Sequence, residues 1–213
     1  MVRKEIKQQA KDLIKNGKWF LLFVVLLIVS AVSSLTAGIL MPVALFGLHL
    51  AIVGMFAGQE FDFNHFGTPF NDFNHALKVI AVYFLTMLIV MVGTMLFIIP
   101  GIIFYMMYVQ AYRIMIEKPE IGIMDALRES KEMMNGYKMD YFVFQLSFIG
   151  HFLLMMITFG LWGIYLMPYF VVADTNYYLH LKQVRNEAKV VAEAAPVEAE
   201  VVEYFLKIKT LLC

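Results

Sequence analysis

The chain has 213 residues, 61% of them hydrophobic and 16% charged, with 17 Lys and Arg balanced by 17 Asp and Glu and a mean hydropathy of +0.72. Soluble domains carry roughly 45–50% apolar and about 25% charged residues, so this composition describes an integral membrane protein. Zero net charge leaves no basic field for nucleic acid, and the one cysteine, Cys213, excludes an internal disulfide and a cysteine-based metal cluster.

Residues 1–18 set Arg3, Lys4, Lys7, Lys11, Lys15 and Lys18 around an apolar face of Ile6, Ala10, Leu13 and Ile14. That spacing predicts an amphipathic helix on the cytoplasmic interface, its lysines among anionic headgroups. An apolar run from Trp19 to Ser34 is followed by the small residues Ala37-Gly38 and a second run from Ile39 to Phe56. A single helix over both runs would reach roughly 57 Å, so they are predicted to form a first hairpin. The long amphipathic basic region and the spans downstream argue against a cleaved leader. His49 is the notable polar group here; a neutral histidine packed on a neighbouring helix is favoured over a functional site.

Between Gly58 and Lys78 the tetrapeptide Asp-Phe-Asn-His occurs twice, at Asp62–His65 and Asp72–His75. Two carboxylates and two imidazoles are potential divalent-metal ligands. The stronger reading is conformational: Asn71 or Asp72 caps the next helix, Gly67 and Pro69 mark a turn, and Phe63, Phe66, Phe70 and Phe73 lie against the interface.

No charged residue occurs from Val79 to Tyr112, where two spans are predicted to meet at Pro100-Gly101. Gln110 and Arg113 approach the end of the second: Arg113 can snorkel to the headgroups, and Gln110 can bond another helix. Ile123, Leu127, Ser130 and Met134 then define one face of an amphipathic surface helix closed by Asn135-Gly136. A third hairpin begins at Tyr141, breaks at Phe159-Gly160, and returns through a short helix that Gly163 and Pro168 bend or weaken. Gln145 and His151 on its first span fall about 240° apart, which argues against a proton relay. Beyond Asn176 a polar-flanked helix gives way to an Ala/Glu/Val tract that reads as linker, then to a basic, apolar ending. The final KTLLC lacks the arrangement for prenylation.

The expected organisation is therefore all-α: an amphipathic segment at 1–18, a membrane domain at 19–182 and a cytoplasmic tail at 183–213. Its six spans, in three hairpins, lie at about 19–35, 39–56, 79–99, 101–116, 141–158 and 161–174. This topology puts every lysine and arginine on the side of the N-terminus and leaves the opposite turns uncharged. The enrichment of cytoplasmic loops in Lys and Arg then places both termini in the cytoplasm, in a multi-pass plasma-membrane protein. A faint repeat accompanies the hairpins, Lys11–Trp19 paralleling Lys131–Lys138: an amphipathic helix, an Asn-Gly stop, a lysine, then a span.

The segments FIIPGIIFYMMY and DALRESKEMMNGYKMDYFVFQLSFIGHFLL, with the Thr158–Pro168 stretch and NYYLHL, resemble a bacterial family of integral membrane proteins, domain-of-unknown-function family nine hundred seventy-five. The family is distantly similar to the membrane domain fused to some glycerophosphodiester phosphodiesterases. The resemblance covers about residues 5–182 and rests most on Ile99-Pro100-Gly101, Ala126-Leu127, Ser130, Met134, Gly136, Lys138 and Leu146–Gly150; His151 stands where such families often carry tryptophan. It implies six spans in a Gram-positive-type plasma membrane and no activity.

Functionally, a non-catalytic scaffold or accessory subunit acting from the cytoplasmic face is favoured. Its partners would be membrane lipids, another membrane protein or a cytoplasmic protein. A small transporter or lipid-handling permease is the alternative. Its candidate intramembrane polar positions are His49, Gln110, Arg113, Gln145 and His151, and its structural breaks Pro100, Gly101, Gly160 and Pro168. No G-x-S-x-G, H-E-x-x-H, phosphate-binding glycine loop or paired intramembrane carboxylate appears, so no enzyme activity, catalytic residue, cofactor or metal is assigned.

Overall fold

A computed structural model of the chain describes residues 2–15, 17–36 and 38–211, with side chains over 3–15, 17–36 and 38–188. Asn16, Ala37, Cys213 and the side chains of the last segment lie outside the described residues. The described chain is α-helical, with no strand among the described residues. It divides into a compact unit over 1–178 and a second over 179–213.

In the first unit, α1 (Val2–Leu13) buries Ile6 and Ala10, and Ile14 just past its end is buried with them, on the face the sequence period marks. α2 (Lys18–Leu35) and α3 (Met41–Phe56) pack together. A 3-10 turn at Phe63–Phe66 and α4 (Thr68–Asn71) lead into α5 (Phe73–Leu96). The two Asp-Phe-Asn-His copies act as caps: Asp62 accepts from the Asn64 backbone N–H at 2.8 Å, and Asp72 accepts from that of His75 at 3.0 Å. Beyond them come α6 (Ile98–Tyr108), α7 (Ala111–Glu117), α8 (Ile123–Met133), α9 (Lys138–Leu146), α10 (Ile149–Ile157) and α11 (Gly163–Leu211).

Four stretches are long and apolar enough to cross a membrane: Lys18–Leu35, Phe73–Leu96, Ile98–Glu117 and Lys138–Ile157; Met41–Phe56 is apolar but shorter. Their outer faces carry large apolar side chains, Met91, Met95, Phe97, Ile98 and Ile99 all being more than 60% exposed. Gln110, Arg113, Ser130 and Asn176 are buried instead. Apolar outside and polar inside is a surface that suits hydrocarbon, since water would be met by a contiguous greasy patch.

The central helix turn lies three residues before the proline. Phe97, with extended backbone (φ −158°, ψ 146°), separates α5 from α6, and Pro100 sits in the first turn of α6, where an absent N–H leaves no bond unmade. Gly101 is needed for proximity: a Cβ there would lie 2.7 Å from Thr94 Cα. Gly160 does form a turn, with φ 88°. α11 runs through Pro168, and at one end of a helix whose neighbours Leu166 and Tyr169 are fully buried the loss of one ladder bond is offset by packing. In the second unit, backbone that composition reads as linker is helical to Leu211, which Ala and Glu favour.

Gly101→Val should destabilise the α5–α6 pair by about 1–3 kcal/mol through overpacking. Gly150→Ala, at a helical position with nothing within 4 Å of the added carbon, should be neutral or stabilising. Thermal unfolding of the detergent-solubilised variants checks both; equal effects would contradict the close approach.

Candidate functional site

The polar interior centres on Arg113. The chain interrupts its helix at Val109–Gln110, between α6 and α7, and the Met107 carbonyl beside the interruption accepts a hydrogen bond from Ser130 of α8 at 2.9 Å. Restarting at Ala111 aims Arg113 inward, where it is 3% exposed. Its Nη1 donates to Gln110 Oε1 at 2.6 Å, and its Nη2 donates to Asp174 Oδ2 of α11 at 2.7 Å. Asp174 Oδ1 accepts from the Tyr141 hydroxyl of α9 at 2.8 Å, and that hydroxyl accepts from Gln145 Nε2 at 2.7 Å. Arg113 also stacks on Tyr112, 5.0 Å from its ring centre.

Three of the expected polar positions, Gln110, Arg113 and Gln145, thus belong to one network, joined by Asp174 and Tyr141. Arg113 does not snorkel. A guanidinium withdrawn from water needs a carboxylate more than it needs a headgroup, and Asp174 supplies one. The sequence signal for this pair was one arginine and one aspartate, each at the end of a different apolar run.

His49 lies apart from that network. Its Nε2 is 3.6 Å from Glu117 Oε1 and its ring meets Tyr178 edge-on at 5.5 Å, while the Tyr178 hydroxyl donates to Glu117 Oε2 at 2.9 Å. Burial, then the Glu117 carboxylate, push the Tyr178 phenol well above its ordinary range. His75 spans two helices, its Nε2 donating to the Met115 carbonyl at 2.7 Å near the open end of α7. His151 sits among Phe148, Trp162 and Tyr169 and meets none of the other candidates, so the polar groups do not form a file.

α1 is fastened to this core. Asn176 Nδ2 donates to the Ile6 carbonyl at 3.0 Å and to Gln9 Oε1 at 2.8 Å, and Arg3 pairs with Asp140 at 3.2 Å. Asp140 also accepts from the Tyr177 hydroxyl at 2.8 Å. Lys7 donates to the Ser147 carbonyl at 3.2 Å, where α9 gives way to α10, and lies 4.1 Å from the centre of the Phe148 ring. Burial, then neighbouring Lys11, hold the Lys7 ammonium below its usual range. Lys7 therefore faces protein where headgroups were expected, while Lys4, Lys11, Lys15 and Lys18 remain exposed.

Cavities lie beside this network and elsewhere among the described residues. One, of about 430 Å³, is walled by α5 and the α6–α7 pair and reaches Asp174; Tyr83, Thr86, Tyr105 and Tyr112 line it. Another, about 260 Å³, is apolar and lies between α2, α3 and the phenylalanines of the 63–70 turn. Among the described residues no cluster of three or more His, Cys, Asp or Glu could hold a metal ion.

Arg113→Leu or Asp174→Leu alone should cost about 3–5 kcal/mol, because each strands a buried charge, and the double variant should be more stable than either single one. Unfolding in detergent checks this; additive losses would mean that the two groups do not compensate each other.

No curated protein and no solved structure matches the chain. A family described as protein of unknown function (DUF975) matches residues 50–185, a shorter stretch than the resemblance in sequence covers but more than half of the chain. That match contains Gln110, Arg113, Tyr141, Gln145 and Asp174, and the chain belongs to this family.

Proposed function

We propose that this is a multi-pass plasma-membrane protein of three helical hairpins and six spans, with both termini in the cytoplasm. It acts as a non-catalytic scaffold or accessory subunit from the cytoplasmic face.

One observation carries this reading: the charged segments bond to one another. Arg3 pairs with Asp140, Lys118 with Glu129 at 2.5 Å, and Lys78 donates to the Pro119 carbonyl at 3.0 Å. The turns between the spans carry apolar groups instead, with Leu35, Phe97 and Phe159 at 88, 74 and 99% exposure. One charged end and one greasy end are what the asymmetric distribution of Lys and Arg across a bilayer predicts. On this reading α6 with α7, and α9 with α10, each cross as one interrupted span; α3 and the first part of α11 cross as short ones.

The scaffold role is supported by the outward side of α8, where Met124 is 71% exposed among Asp125, Arg128, Lys131 and Glu132. Its other side, Ala126, Leu127, Ser130 and Met133, is fixed against the helices below. A held helix with a mixed-charge face turned outward is a suitable docking element for a cytoplasmic protein.

A reporter enzyme active only outside the cell should give signal when fused at Gly101 and none at Gly136; the opposite pattern would reverse the topology. A photocrosslinker at Met124 should capture one reproducible partner in cells, and no capture there or at Arg128 would remove the scaffold role.

A further inference from the structure

We propose that the cavity between α5 and the α6–α7 pair binds an amphiphile whose head is a protonated amine, the alkyl chain leaving along α5. This goes beyond the scaffold reading and is independent of which leaflet the charged end faces.

The cavity has a mixed lining. At about 430 Å³ it falls in the range of small-ligand sites. Its lining combines Asp174, Thr86 and the rings of Tyr83, Tyr105 and Tyr112 with the apolar side chains of Met87, Val90 and Met91. Met87 and Met91 are 54 and 61% exposed, so the cavity opens beside them on the face where acyl chains would run. A ligand matching both kinds of lining has a polar head and an apolar tail.

The sign of the head follows from the lining. Asp174 is the charged group in the wall, and no lysine or arginine lines it. Arg113 engages Asp174 Oδ2 and Tyr141 engages Oδ1, one bond to each oxygen. A carboxylate has about four acceptor sites, so accepting capacity remains for a donor inside the cavity. A phosphate or sulfate head would meet that carboxylate directly, while the cation paired with it, Arg113, is not among the residues of the wall. Tyr83 and Tyr112 meet edge to face, at 84° with ring centres 6.3 Å apart, and add aromatic surface to the wall against which an ammonium group can rest.

Thr86 specifies a head that carries N–H. Elsewhere in the spans, threonine hydroxyls are spent on the preceding helical turn: Thr94 donates to the Val90 carbonyl at 2.8 Å and Thr158 to that of Leu154 at 2.9 Å. Thr86 Oγ1, on the same helix as Thr94, is buried and has no hydrogen-bond partner. A primary ammonium in the cavity can donate to Thr86 Oγ1 and Asp174 while resting against the tyrosines. A quaternary ammonium could use only the rings.

The test uses the full chain in a neutral sugar-headed detergent and counts adducts by native mass spectrometry across titrations of dodecylammonium, dodecyltrimethylammonium, dodecyl sulfate, dodecanol and butylammonium. One saturable dodecylammonium adduct is expected, about tenfold tighter than the sulfate and the alcohol, with the trimethyl compound between. Tyr83→Leu and the near-isosteric Thr86→Val should each weaken it several-fold while still eluting as folded protein. Comparable binding of dodecanol or the sulfate would overturn the assignment of charge. Butylammonium binding as tightly as dodecylammonium would overturn the amphiphile, and unchanged affinity in Thr86→Val would overturn the placement of the head.

Discussion

The contact on which the rest of this structure depends is the ion pair between Arg113 and Asp174. A lone charge among apolar helices is expensive, so each member obliges the chain to deliver the other, and the delivery crosses helices that are 61 residues apart in sequence. Tyr141 occupies the second oxygen of the carboxylate and Gln110 the second terminal nitrogen of the guanidinium. Three separate helices, α7, α9 and α11, are thereby held at one point. Apolar packing, which in lipid gives little preference for one helix partner over another, then needs to decide less.

Around that point the two amphipathic helices do similar work. Each supplies a donor to a carbonyl where a membrane helix is interrupted: Ser130 of α8 to Met107, and Lys7 of α1 to Ser147. Each is followed by a glycine with the same left-handed backbone, φ 83° at Gly17 and at Gly136, before the next apolar helix starts. The faint likeness between the sequences Lys11–Trp19 and Lys131–Lys138 therefore has a physical counterpart: an amphipathic helix lies over a broken span and turns sharply into an apolar one. Interruptions inside apolar surroundings are tolerable because these side chains satisfy the backbone.

Much of this was legible in the sequence. The apolar face of α1, the α8 face carrying Leu127 and Ser130, and the capping role of Asp72 follow from local spacing, which residues a few positions apart determine. The position of the central turn was misplaced by three residues because proline is tolerated in the first turn of a helix as well as in front of it. The fate of Arg113 was misread for a different reason. An arginine at the end of an apolar run has two outlets, the headgroups or a buried partner, and only the packing of α11 against α7 chooses between them. Asp174 looked like the end of the last span, and periodicity within one helix carries no information about which residue of another it faces. Lys7 is a similar case, since exposed lysines on the same helix share its spacing.

The order in which the chain is made gives the Arg113–Asp174 pair a further meaning. Synthesis proceeds from the N-terminus, so the guanidinium reaches the bilayer well before its carboxylate exists. Until α11 arrives, the helix bearing Arg113 is an unfinished object, stable only near the surface or in the care of the insertion machinery. α11 thus acts as a lock on helices made earlier, and a chain cut short before it would leave behind a lone cation as a mark of incompleteness.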